Sequence, residues 1–520
     1  MQATHTPKVS WKAMTLGVST AALLALPAVG FAAKAPAAMP SQIGLGSKQH
    51  VTLTLLTPNY YPSTKLHPRV GAPVGQVAIS HIIASYEKLH PNVKIIDITP
   101  PPWGALTQWV TGHAANNSLP DILENGAGYF TVPEDSSELV NLSPYLRQKN
   151  PYNAKAKAWA GTFIPGLLAE TNANFLGPQY EIATDWYIIH SLWYNKTLLN
   201  RLHLPVPSTV AQLFNDLKVI KAKDHAVIPI EGQSGYFMLP LDGTDFPWYY
   251  NVMFPIFKKM SPHGGHSVKP AQLAYAFKNG WLSYQKNPRL KWLVATLFND
   301  FLPYTASRQA LLTAEENASS STSSPTSPFN QFVQGKIAFL PGAGYLTQYF
   351  YGANALHPSF QIGVERMPRL TKATTPYANP AQQQSGASVG VPYSVTQEAA
   401  RQHVVNWAVN FLQYLTSVKN DQYLVNNGFR FIPGIKGAVP SKTALAYKLA
   451  TAGPVNWGAY PAVVPNPLSD PSAVATNKSY WEYFTLNQLG YPTVAAKVDQ
   501  NNLAWANQTI AQNHYANPYK

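Results

Sequence analysis

The feature that most constrains this chain is a change of hydrophobic period within about fifty residues. Val51, Leu53 and Leu55 alternate with Thr52 and Thr54, the period of a half-buried strand. From Gln76 to Leu89 the apolar residues Ile79, Ile82, Ile83 and Tyr86 instead share one helical face, and Pro91 ends the run. Val93–Ile98 returns to extended, β-rich sequence. Strand, helix and strand in that order predict a right-handed crossover, which makes the two strands parallel. A second unit follows, with a helix over Gly104–Ala115 and a strand at Pro120–Leu123 that opens into Glu124, Asn125 and Gly126. The predicted class is α/β. In such sheets the loops at the carboxyl ends of strands face the ligand crevice, which marks Tyr60, Tyr61, Glu124 and Asn125 as cleft candidates.

Further along, Tyr187–Tyr194 reads as one apolar, aromatic strand, Thr209–Lys221 as a helix and Phe332–Leu340 as a strand. Ser394 and Gln397 have the spacing of a capping box ahead of a stripe of Val404, Trp407, Ala408, Phe411, Leu412 and Leu415. A last amphipathic helix is expected over Val494–Ile510. Residues 131–180 are weakly patterned, and Ala318–Pro328 is a serine-rich, low-complexity loop or linker.

Several function classes are excluded early. With no cysteine there is no disulfide, zinc–thiolate site, cysteine nucleophile, iron–sulfur cluster or lipidated N-terminal cysteine. The formal charge of +14 comes from 38 Lys and Arg against only 24 Asp and Glu in 520 residues. The chain is basic because acids are scarce, and its bases are spread singly, unlike a nucleic-acid binder, which clusters them on one face. Few carboxylates fit an acidic working environment, since each carboxylate kept ionised in a fold is a liability there; compositional drift is the alternative.

The first 32 residues read as a secretory signal peptide, with Lys8 and Lys12 before the apolar Ala13–Phe31 and cleavage after Ala32. Residues 33–48, rich in Ala and Pro, read as a tether. Of the catalytic patterns, Gly386-Ala387-Ser388-Val389-Gly390 has the letters of a nucleophile elbow, but Pro392 falls where its helix must run. His263-Gly264-Gly265-His266 has no third metal ligand nearby.

Six segments, in order, resemble the family 1 extracellular solute-binding proteins, the maltose-binding-protein-like receptors of carbohydrate ABC importers. They are Tyr86–Ile95, Pro120-Asp121-Ile122, Trp193–Leu199 continuing through Leu204–Thr209, Phe332–Phe339, Ala408–Ser417 and Gly428–Pro440. The resemblance implies two α/β lobes of the periplasmic-binding-protein fold, three inter-lobe crossings and a central cleft that closes by a hinge. By similarity the crossings fall near Ala183–Trp186, Phe339–Gly342 and Ser388–Val391. Lobe 1 is then 49–183 with 341–388, and lobe 2 is 186–338 with 391–520.

The implied function is a non-catalytic, extracytoplasmic receptor, acting as a monomer without a cofactor or metal. It would deliver a sugar or oligosaccharide to an ABC permease and its ATPase subunits. A sugar site needs rings for stacking and a few carboxylates or amides at its rim. By motif the resemblance places Asp185 and Trp186 at the first crossing, Tyr236 and Phe237 in a second-lobe loop, Tyr345 near a stacking position and Trp481 in a late aromatic cluster. The alternatives are a secreted carbohydrate-active hydrolase, or the same fold binding a non-sugar polar solute.

Overall fold

The computed structural model describes residues 41–62, 77–124, 137–153, 155–171, 178–188, 190–232, 248–260, 270–308, 327–350, 356–380, 386–428, 432–441, 449, 456–457 and 471–519. The signal-peptide segment, half of the tether, most of the serine-rich loop, Tyr236, Phe237, Asn125 and residues 263–266 lie outside them.

The first unit forms as its periodicity predicts. β1 (Val51–Leu56) pairs in parallel with β2 (Val93–Asp97), Val51 opposite Val93, and α1 (Ala78–Leu89) carries the crossover. Ala78, Ile79, Ile82, Ile83 and Tyr86 of α1 are buried. β3 (Ile122–Glu124) joins the other edge of β1, also in parallel, after α2 (Trp103–Ala115). The completed first sheet has the order β2-β1-β3-β11-β4, with β4 (Ile182–Ala183) and β11 (Pro392–Val395) antiparallel additions.

Three more strands with β8 (Ile337–Gly342) make a sheet of the second lobe. They are β6 (Ser191–Asn195), β7 (Ile228–Ile230) and β9 (Ile362–Arg366), in the order β7-β8-β6-β9. Between the lobes stands a sheet in the order β12-β5-β10-β13, from β5 (Asp185–Ile188), β10 (Gly386–Val389), β12 (Ile432–Pro433) and β13 (Asn456–Trp457).

The first-lobe core runs from β1 through α1 to α4 (Val405–Leu415), where Trp407, Ala408, Phe411, Leu412 and Leu415 are buried. The second core gathers Val210, Leu213, Leu217 and Ile220 of α3 (Val210–Lys223) with residues of α6 (Pro471–Thr485) and α7 (Tyr491–Gln512).

The architecture corrects four local expectations. Tyr187–Tyr194 is two strands in different sheets, because the chain leaves the central sheet after Ile188 and enters the second lobe at Ser191. Phe332 belongs to the short helix Pro328–Val333, and the strand starts only at Ile337. Ser394 lies within β11, where its hydroxyl donates to the Glu181 carboxylate; Thr396, not Ser394, precedes the next helix.

The crossings are the fourth difference. The first does fall at β4–β5, but Phe339–Gly342 stays inside the second-lobe sheet, as does β9 after it. β10 then leads into β11 and returns the chain to the first lobe, so β11, α4 and α5 (Val418–Gly428) pack there, whereas the resemblance places 391–520 in lobe 2. The remaining passage runs through β12 and β13 to α6 in the second core. An apolar strand buried on both faces carries no label for which of two sheets it enters.

Candidate functional site

β1 and β3 are parallel neighbours, so both deliver their carboxyl-terminal loops to one edge of the first sheet, and the central sheet borders that edge. Asn59 and Tyr60 follow β1, and Glu124 ends β3. The Glu124 carboxylate accepts the Asn59 backbone N–H at 3.0 and 3.1 Å and also the Asn59 side-chain amide. The Tyr60 hydroxyl donates to Oδ2 of Asp185, the first residue of β5. Oδ1 of Asp185 accepts the Val391 N–H at 2.5 Å, and its backbone carbonyl accepts the Gly390 N–H at 2.9 Å. Asp185 therefore ties a first-lobe loop to two strands that carry the chain between lobes.

Tyr60, Glu124 and Asp185 are at most 1% exposed. Burial first, then the Asp185 charge, drives the Tyr60 phenol well above its ordinary range, so it stays a neutral donor. Two more buried groups face this set. Asp421 of α5 accepts the Ile435 N–H at 3.3 Å, and burial followed by the Asp185 charge raises its carboxyl strongly. Tyr393 of β11 is raised by burial and then by Glu124 and Asp185, and its hydroxyl has no hydrogen-bond partner among the described residues.

Two rings follow Asp185 along β5, on opposite faces of the strand. The Trp186 indole donates to the Pro433 carbonyl at 3.2 Å, fastening β5 to β12. Tyr187 meets Tyr345 edge to face with ring centroids 5.9 Å apart. Tyr345 is brought there by Gly344, where an added Cβ would lie 3.2 Å from the Ile188 carbonyl oxygen. Trp186, Tyr187 and Tyr345 keep 6 to 9% of their surface, so they sit at the margin of the packed interior.

The structure thus brings Tyr60, Glu124, Asp185, Trp186 and Tyr345 together around the central sheet. Trp481 does not join them. It lies in α6 at 1% exposure, packed against Tyr284 at 4.9 Å and Phe484 at 6.0 Å inside the second core. An aromatic-rich segment is as good for a core as for a sugar, and here the core takes it. The Tyr61 hydroxyl is bonded to the Thr99 hydroxyl at 2.7 Å. Asn59, Tyr187, Tyr393 and Asp421 were not singled out in the sequence. Asn59 and Tyr187 adjoin sequence candidates, so the strand-end positions that mark Tyr60 and Asp185 mark them too. Tyr393 and Asp421 reach the site only through tertiary packing. Among the described residues no cluster of three or more His, Asp or Glu has the arrangement of a metal site.

The layout defines a two-lobed α/β protein of the periplasmic-binding-protein fold, with a third sheet between its lobes. The chain belongs to the bacterial extracellular solute-binding protein family, whose model matches residues 71–422. A search of curated proteins finds no match. Among solved structures, the apo form of RafE from Streptococcus pneumoniae is similar at a TM-score of 0.56 and 15% identity, over 89% of this chain and 99% of that one. A Bacillus licheniformis sugar transporter protein in complex with stachyose gives 0.50 and 16%, over 87% and 100%. The GacH receptor of Streptomyces glaucescens, solved unliganded and with acarbose, gives 0.51 and 16%, over 88% and 99%.

Proposed function

We propose that this protein is an exported, non-catalytic receptor that binds a carbohydrate between its lobes and presents it to an ABC permease. The observation that carries the reading is the Asp185 carboxylate held by Tyr60 and Val391 at the start of β5, with Trp186 and the Tyr187–Tyr345 pair following along the same strand. Rings offer faces to sugar C–H groups, and a fixed carboxylate accepts from hydroxyls. Stachyose and acarbose in the two complexes just described support sugars as the ligand class.

The mechanism is closure. These groups are nearly sealed, so a ligand enters when the lobes part and gains its full contacts when they meet again. Closure removes water from the carboxylate and strengthens each hydrogen bond to it. The permease then distinguishes the closed, loaded form from the open one. The apolar Ala13–Phe31 segment is proposed as the export signal; among the described residues no helix is long and apolar enough to cross a membrane.

A thermal-shift screen against mono- and oligosaccharides at pH 4 and pH 7 tests the reading. A ligand at about 100 times its dissociation constant adds about 2.7 kcal/mol to stability. A selective upward shift with the sugar recovered unchanged is the expected result. Released reducing ends would mean a hydrolase, and no shift with any sugar would move the assignment to a non-sugar solute.

A further inference from the structure

A groove of about 320 Å³ lies between α1 and α5 on the first lobe, sharing no lining residue with the group around Asp185. That volume is at the low end for small-molecule sites. Its lining is unusual in how the side chains are held. The Asn420 amide donates to the Tyr414 carbonyl at 2.9 Å, and the Asn427 amide donates to the Tyr423 carbonyl at 2.7 Å. The Gln422 side-chain oxygen accepts the Val439 N–H at 2.9 Å. Each of these three amides is thus pinned at one end by backbone. The opposite ends, Oδ1 of Asn420 and Asn427 and Nε2 of Gln422, make no hydrogen bond among the described residues.

The rings are fixed in the same way. Tyr414 is braced by Tyr86 and Tyr152, with centroids 5.2 and 5.0 Å away, and Tyr423 lies against the His81 ring at 4.9 Å. The hydroxyls of Tyr414 and Tyr423 also have no intramolecular partner among the described residues. Asn426, in contrast, is committed at both ends, to the Val439 carbonyl and the Ser441 N–H, and serves as scaffold.

A wall of pre-positioned neutral donors and acceptors beside phenol rings matches a polyol with C–H faces, because every sugar hydroxyl both donates and accepts. Among the described residues the lining has no carboxylate, and Lys419 and His81 are its only basic groups. The ordering cost of these side chains is met on folding, which leaves more of each contact for binding. We propose that the α1–α5 groove is a second glycan site, separate from the hinge cleft, that takes a neutral polysaccharide chain from outside.

Native gel electrophoresis of the mature protein through gels containing soluble starch, arabinoxylan, galactomannan or polygalacturonate tests this. Retardation by at least one neutral polymer is expected, with Tyr423→Phe and Asn427→Ala each weakening it about fivefold, the size of one or two lost hydrogen bonds. Asn427 is exposed, and Tyr423→Phe keeps the ring that packs on His81 and the first core, so thermal unfolding and any sugar-induced thermal shift from the hinge cleft should be unchanged in the variants. The gel result stands whether or not the hinge cleft binds sugar. No retardation by any neutral polymer, or retardation equal in wild type and both variants, would overturn the proposal. So would retardation by polygalacturonate alone that disappears in Lys419→Ala or in about 0.3 M salt, since screening of that kind marks simple charge attraction.

Discussion

Two tyrosines show how much a single hydroxyl's surroundings decide. Tyr60 and Tyr393 are both fully enclosed next to the same carboxylates. The Tyr60 hydroxyl donates to Asp185, whereas that of Tyr393 has no hydrogen-bond partner among the described residues. A buried polar group without a partner costs stability, and removing one half of a buried hydrogen bond costs about 1–3 kcal/mol. Tyr60→Phe is therefore expected to destabilise by that amount, and Tyr393→Phe to be neutral or stabilising. Urea unfolding of the two variants checks this, and equal losses would contradict the difference in partners. The resemblance places Asp185 at the first crossing, and β5 begins on it. Asp421 carries no such mark, since nothing in its own helix distinguishes it from a surface Asp until Ile435 and Asp185 close over it.

Among the elements, capping separates letters from geometry. Ser394 has the spacing of a capping box but sits in a strand, paired opposite Leu123. Thr209 and Gln212 form the real box at the start of α3, the Thr209 hydroxyl accepting the Gln212 N–H at 3.2 Å. Thr209→Ala should cost about 1 kcal/mol in urea or thermal unfolding. The loop after β12 supplies a sharper test. A Cβ on Gly434 would stand 2.6 Å from Leu167 Cδ2 and 2.8 Å from the Thr184 carbonyl oxygen, and the Gly434 N–H already donates to that oxygen at 2.7 Å. Gly434→Ala must push the loop off the first crossing, with a loss of about 1–3 kcal/mol. If the hinge governs binding as proposed, the same variant weakens ligand affinity; an unaltered melting temperature would show that the loop yields freely. The long periodic helices were legible in sequence because their burial is one-sided, as with Val494 and Val498 of α7. The short strands were not, because two or four residues carry no period.

At the scale of the whole molecule, the scarcity of acids is matched by how the buried ones are kept. Burial is the leading cause that pushes Glu231 up to about 7 and Asp216 up to about 6, and it also raises Asp121 and Asp421. The ion pairs Lys94–Glu87 and Arg401–Glu398 lie toward the surface, where such pairs contribute little. A carboxyl raised on folding holds its proton more tightly in the native state than in the unfolded one. Its stabilisation is complete below the unfolded value near 4 and is lost as pH rises through the folded value. His90, lowered by burial, acts in the opposite sense as pH falls. With the carboxyls dominating, the melting temperature should rise from pH 7.5 to pH 4.5. Glu231→Gln should flatten that rise; a melting temperature that falls steadily toward pH 4.5 would refute the account. An acidic habitat is the setting such a profile suits.

What the sequence determined by itself was the kind of layer this protein builds. Alternation at Val51–Leu55 and a single apolar face at Ile79–Tyr86 leave a parallel strand–helix–strand unit as the way to bury both, since backbone geometry sets those periods locally. Tertiary structure alone decided where the layers exchange chain and what the aromatics do. β8 could have entered either lobe until β6 and β7 paired with it, and Trp481 could have faced a sugar until Tyr284 and Phe484 enclosed it. Burial is a relation between segments far apart in the chain, and no residue carries it in its own neighbourhood.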